Sequence, residues 1–134
     1  MHAATAQLIR DYYEAFNAGD MDRFLSLLSD DIVHDINQGQ REEGREAFAA
    51  FMTRMNRCYR EQLQELVIFS SGDGRRAAAE FVVEGEYLAS DEGLPPARGQ
   101  RYRLPAGAFF EVSQGKVTRV TNYYNLQDWI AQVS

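Results

Sequence analysis

"GQRYRLPAGAFFEV", residues 99–112, alternates with a period of two. Tyr102, Leu104, Ala106, Ala108 and Phe110 share one side, while Arg101, Arg103, Pro105, Gly107, Phe109 and Glu111 share the other. Successive side chains of a strand point to opposite faces, so this pattern predicts a strand with the first set in the core. Strands patterned in this way belong to an antiparallel sheet covered on one face. Pro105 has no N–H to give a ladder, which predicts an edge or a bulge at that point.

Outward from this strand the reading repeats. Residues 62–70 (QLQELVIFS), 76–88 (RAAAEFVVEGEYL) and 117–126 (VTRVTNYYNL) also read as strands. "SGDG" and "SQG" carry hairpin turn chemistry, and "SDEGLPPA" is a longer loop. Phe81, Val83 and Tyr87 form a core face, which turns Glu80 and Glu84 toward solvent or another subunit.

Upstream the period changes. Leu8, Tyr12 and Phe16, then Met21, Phe24, Leu25 and Leu28, recur at helical spacing. "NAGD" divides them, with Gly19 as a stop and Asp20 as a cap. A short strand is predicted at 31–37, followed by a turn or loop in "QGQREEG". Residues 45–60 read as a third helix, with Phe48, Phe51, Met52, Met55 and Tyr59 on one face. A last helical piece at 126–132 anchors the end through Leu126, Trp129 and Ile130. Helices first and antiparallel strands after predict an α+β fold, the helices packed on one face of a strongly curved sheet.

The 134 residues predict one domain, 1–134. A net charge of −6 with no Lys/Arg stripe argues against nucleic acid and anionic membrane surfaces. One cysteine, Cys58, excludes an internal disulfide and suits a reducing compartment, and reads as an inert thiol. No apolar run approaches the roughly 20 residues of a membrane span, and the start lacks a signal pattern, so a cytoplasmic protein is expected. His34 and His2 are the only histidines, too few for a histidine-based metal site, and no cofactor motif is present. His34 itself is expected to hydrogen-bond at the surface or at an interface.

The order of elements resembles the nuclear transport factor 2-like fold, a cone of three helices and a bent sheet around an apolar cavity. "YYEAFNAGDMDRFLSLLSDDIVHDINQG", "EGREAFAAFM" and "GKVTRVTNYYN" narrow the likeness to the ketosteroid isomerase and SnoaL-like branch. "CYREQL", "RAAAEFVVEGEYL", "GLPPARGQRYRLPAGAFF" and "RVTNYYNLQDWIAQV" resemble a bacterial group described only as ketosteroid isomerase-related.

The resemblance implies roles position by position. "VHD" places Asp35 where the isomerase has its general base, and counting back from "GD" places Tyr12 at its oxyanion tyrosine. Period-two alternation alone would leave Asp35 facing water, whereas the likeness turns it inward. Tyr124 falls at a cavity-lining aromatic, with Asn122 on the same face. The second oxyanion donor falls at Ala106 or Gly107, neither an acid. Tyr102, Asn122 or Asn37 could supply the missing donor, and losing it unreplaced would cost on the order of a hundredfold in rate. Tyr59 reads as core and as a ligand contact. If the likeness holds at strand 76–88, Glu80 turns inward as a second acid.

The expected protein binds a small apolar or aromatic ligand in the cone. Asp35 would move a proton beside a carbonyl in an isomerase- or cyclase-like step. The alternative is a binding or interaction module without chemistry. Phe109, Tyr123 and Tyr87 offer apolar surface for a homodimer through the outer sheet face.

Overall fold

A computed structural model describes residues 2–134. In chain order the elements are α1 (His2–Ala18), α2 (Met21–Ser26), β1 (Leu28–Ile36), β2 (Gln40–Glu43), α3 (Arg45–Cys58) and β3 (Tyr59–Ser70). They continue as β4 (Arg76–Tyr87), β5 (Arg101–Ser113), β6 (Lys116–Tyr124) and α4 (Leu126–Val133). The α+β class and the helices-then-strands order match the expectation. No helix is long and apolar enough to cross a membrane among the described residues.

The six strands form one curved, unclosed sheet in the order β2-β1-β6-β5-β4-β3. Only β1 and β6 run parallel; the other neighbours are antiparallel. The loop expected in "QGQREEG" contains a strand, β2, pairing Val33 with Glu43 through Ile36 with Gln40. Its mostly exposed, charged residues lack an apolar alternation, so only the hairpin with β1 creates it. α3 ends at Cys58, and Tyr59 is already extended at φ −135° and ψ 145°. Tyr59 therefore belongs to a strand and not to the helical face.

Local signals explain the boundaries. Gly19 at φ +70° ends α1, and the Asp20 carboxylate accepts from the Arg23 N–H at 3.1 Å to start α2. Asn125 caps α4 likewise, accepting from the Asp128 N–H at 3.1 Å. β3 carries a bulge between Gln64 and Val67, with Glu65 at φ +55°. The extra residue exchanges the faces of the strand. Tyr59, Glu61 and Leu63 point to the helices before it, and Ile68 does so after it.

Pro105 pairs with Val82 of β4 but has no β6 partner on its other side, a local edge in keeping with the expected edge or bulge. The physical reason is local. β6 pairing begins at Ala106, and Arg103, two residues earlier, bonds the Gln132 amide through both its N–H and its C=O. The side on which Pro105 lacks a donor is thus the side where β6 has already ended.

The core lies between the helices and the inner sheet face. Tyr102, Leu104, Ala108 and Phe110 of β5 are all buried there, beside Ala79, Phe81, Val83 and Tyr87 of β4. α1 lies across β3 and β4, α3 against β1, and α4 against β5. Glu80 is exposed on the outer face and borders an open cleft there, so the inward alternative is corrected. Cys58 is buried, its sulfur 4.0 Å from the Ser90 carbonyl.

Candidate functional site

In β1, Ile32 and His34 face the helices, and Asp35 between its neighbours faces the other way. The Asp35 carboxylate accepts two bonds from Arg41, at 2.6 and 3.0 Å, and one from the Thr121 hydroxyl at 2.6 Å. Arg119 donates to the same Thr121 oxygen and also pairs with Glu111. The Arg41 bonds, opposed by partial burial and aided by Thr121, hold the Asp35 carboxyl down at about 2. A general base works best with its proton affinity near the operating pH. Asp35 is the centre of an outer-face ion network, and its expected inward orientation is corrected.

Tyr12 is on the other side of the sheet. It is 5% exposed and packs on Phe24 at 4.6 Å and on Phe110 at 5.5 Å between ring centroids. Burial pushes its hydroxyl well above the usual tyrosine range. Asp35 and Tyr12 are therefore not brought together, and period-two alternation, taken alone, had the correct face for Asp35.

The inner face gathers a different set. Glu61, Gly85 and Tyr102 lie side by side on β3, β4 and β5. The Tyr102 ring runs across Gly85, and its hydroxyl donates to Glu61 Oε2 at 2.5 Å. Only glycine allows this path, because a Cβ at position 85 would stand 2.5 Å from Tyr102 Cζ. Burial raises the proton affinity of Glu61, while the Tyr102 hydroxyl lowers it in part.

A second pair stands beside it. Tyr59 donates to Asp91 Oδ2 at 2.8 Å, and Arg54 lies 3.7 Å from the other oxygen. The Tyr59 ring stacks on Tyr87 at 5.4 Å and 11°. Trp129 of α4 meets Tyr59, Tyr87 and Tyr102 edge-on at 5.9, 5.0 and 5.8 Å. Tyr124 is 41% exposed at the rim. Its hydroxyl is raised first by burial and further by the charges of Glu61 and Asp91.

Of the residues expected at a site, Tyr59, Tyr102 and Tyr124 converge on this cluster. Asn122 faces the same side and contacts His34, with Asn122 Nδ2 3.3 Å from His34 Nε2. Asn37 instead ties strand ends together, donating to the Tyr124 carbonyl at 2.8 Å and accepting from its N–H at 3.3 Å. His34, expected at the surface, is 2% exposed and stacked on Phe48. Ala106 faces inward and Gly107 outward.

Sequence reasoning missed Glu61 and Asp91. Glu61 did leave a signal: it lies midway between Tyr59 and Leu63 on one strand face, an acid between two core-type residues. Asp91 left none, being placed by the loop that follows β4. A Cβ at position 85 has one way out, which is to lift the Tyr102 ring off Glu61. Gly85→Ala is expected to cost about 1–3 kcal/mol, the usual range for overpacking, read as a lower urea midpoint with an unchanged slope.

The family model described as a SnoaL-like domain matches residues 9–120. A Pseudomonas putida KT2440 structure named "putative polyketide cyclase" is 62% identical, with a TM-score of 0.96, covering 97% of this chain and 98% of that one. A Xanthomonas campestris pv. campestris structure of the same description is 57% identical, with a TM-score of 0.96 and coverage of 99% and 98%. An NTF2-like protein from Burkholderia xenovorans LB400, 15% identical with a TM-score of 0.78 and coverage of 100% and 98%, shares the fold. No protein of curated function matches. The family model spans well over half of the sequence, and the chain belongs to the SnoaL-like domain family.

Proposed function

We propose that the protein binds a small apolar or aromatic ketone on the inner sheet face near Tyr124 and moves a proton next to the carbonyl. The observation that carries this reading is the Glu61–Tyr102 pair, a partly buried carboxyl with raised proton affinity held by a tyrosine hydroxyl. A cyclase must take a proton from carbon beside a carbonyl before a ring can close. The polyketide cyclase description of the 62% identical relative agrees with that demand.

The test uses 2-tetralone in deuterated buffer, followed by proton NMR. The protein is expected to speed deuterium uptake next to the carbonyl at least tenfold over buffer. Asp35→Asn should keep the rate within about twofold, because that carboxylate belongs to the outer network. Uptake no faster than buffer would reject the reaction. The packing of three tyrosines on Trp129 favours, as a second reading, a binding module without chemistry. Binding of 2-tetralone without exchange would select it.

The protein also pairs with a second copy through the outer sheet face under this proposal. Val67, Phe69, Phe109 and Tyr123 are 45%, 56%, 51% and 56% exposed there. Clefts of about 230 and 320 Å³ both border Phe109, so two copies related by a two-fold axis can exchange rings and clefts. Light scattering should give twice 15.3 kDa for the protein and a single 15.3 kDa chain for Phe109→Glu. A monomer at micromolar concentration would remove the dimer.

A further inference from the structure

Two charges on the outer sheet face are left over by the fold. Arg76 and Glu80 are both exposed and stand on the outer side of β4. Glu111, the acid in register with Arg76, feels its charge but is bonded to Arg119. Glu80 is in register with Val67 and Gly107, neither of them charged. Among the described residues neither Arg76 nor Glu80 forms an ion pair. Their places are what makes them matter. Arg76 and Arg119 line the cleft of about 230 Å³ and Glu80 lines the cleft of about 320 Å³, both bordering Phe109.

The strand register turns these places into a pattern. Ala78, Phe109 and Thr121 form one row across the sheet. Arg76, Glu111 and Arg119 form the row on one side of it, and Glu80, Gly107 and Tyr123 the row on the other. Same-face residues recur every second position, so each outer row lies about 7 Å from the Phe109 row. Sheets packed face to face keep their strands nearly aligned. Two copies centred on Phe109 can therefore share a two-fold axis along β5 or one along the Phe109 row. The axis along β5 carries β4 of one copy over β6 of the other and sets Arg76 against Arg119, cation on cation. The axis along the row carries β4 over β4 in reverse and sets Arg76 against Glu80, twice. Stacked sheets lie about 10 Å apart, a gap that an extended arginine and glutamate bridge together.

We propose that the second copy docks with its two-fold axis along the Phe109 row, Arg76 of each copy pairing with Glu80 of the partner subunit. This rests on the outer-face dimer proposed above and adds what fixes its axis and its choice of partner. Like charges set opposite one another across an interface are costly, so such pairs reject a chain whose charges do not match.

Arg76→Glu and Glu80→Arg test this by sedimentation velocity, each alone and the two mixed. Either variant alone sets like charges face to face twice, and its dimer dissociation constant is expected to rise about tenfold or more. In an equimolar mixture of the two variants both contacts are again between opposite charges. A mixed dimer should then form with a dissociation constant within about threefold of that of the unaltered protein. Recovery on mixing also separates the pairing from a folding defect, which a partner chain would not repair. Variants that dimerise as tightly as the unaltered protein overturn the pairing and leave the dimer standing. Variants that separate and do not recover on mixing overturn it too. If the unaltered protein is itself a monomer at micromolar concentration, the dimer fails and this inference with it.

Discussion

Glu61→Gln is expected to slow the protein-catalysed part of the deuterium exchange of 2-tetralone, the rate above buffer, about a hundredfold or more, the usual loss when a general base is removed. Glutamine has the shape of glutamate, and its amide oxygen can still accept from the Tyr102 hydroxyl. The variant should therefore fold and lose only the group that takes up a proton. Tyr102→Phe sharpens the test. The hydroxyl lowers the proton affinity of Glu61, so its removal raises that affinity further. A rate that depends on ionised Glu61 then has its acid limb moved to higher pH. If Glu61→Gln retains a third of the rate, or Tyr102→Phe leaves the pH profile in place, Glu61 is not the base.

Acid weakens this protein in two separate windows. The His34 ring is about 4 in the fold against 6.5 when exposed, so between those values the unfolded chain binds a proton that the folded chain refuses. Stability contributed by neutral His34 is complete above 6.5 and is lost as the pH falls toward 4, a loss of about 3 kcal/mol. Asp35 acts lower, from 3.8 down to about 2, as its bonds to Arg41 and Thr121 are given up on protonation. Glu61 works in the opposite sense. Its raised affinity means that folding takes up a proton, which adds stability as the pH falls.

The His34 contribution is therefore read as a difference. Urea unfolding at pH 7, 5.5 and 4 should show the gap between the protein and His34→Gln closing as the pH falls. A gap independent of pH would mean that the imidazole titrates normally. The effect is large because His34 is 2% exposed and Nδ1 has no hydrogen-bond partner to hold a charged ring.

Much of the architecture was legible because it depends on periodicity. The strand at 99–112 announced its core face, and Tyr102, Leu104, Ala108 and Phe110 are buried as that alternation requires. Gly19 and Asp20 stop one helix and start the next through local backbone chemistry. β2 was not legible, since its pairing with β1 and not its composition makes it a strand.

The site divides along the same line. Tyr59, Tyr102 and Tyr124 were expected near a ligand and do converge around Glu61 and Asp91. Asp35 was carried inward by likeness to a motif, against its own alternation, and the register of β1 beside β6 sets it outward. His34 took the inward place one residue away. In a strand a single step exchanges the faces, so a motif aligned without knowledge of that register assigns the wrong neighbour.

The sequence by itself determined the α+β class, the order of helices and strands apart from β2, and which face of each long strand is apolar. These follow from repeating patterns of burial that each segment carries within itself. Only the tertiary structure decided which polar groups meet: Glu61 with Tyr102 across Gly85, Asp91 with Tyr59, and His34 with Asn122. Those meetings depend on strand register, on the β3 bulge and on one missing Cβ, none of which any single segment encodes.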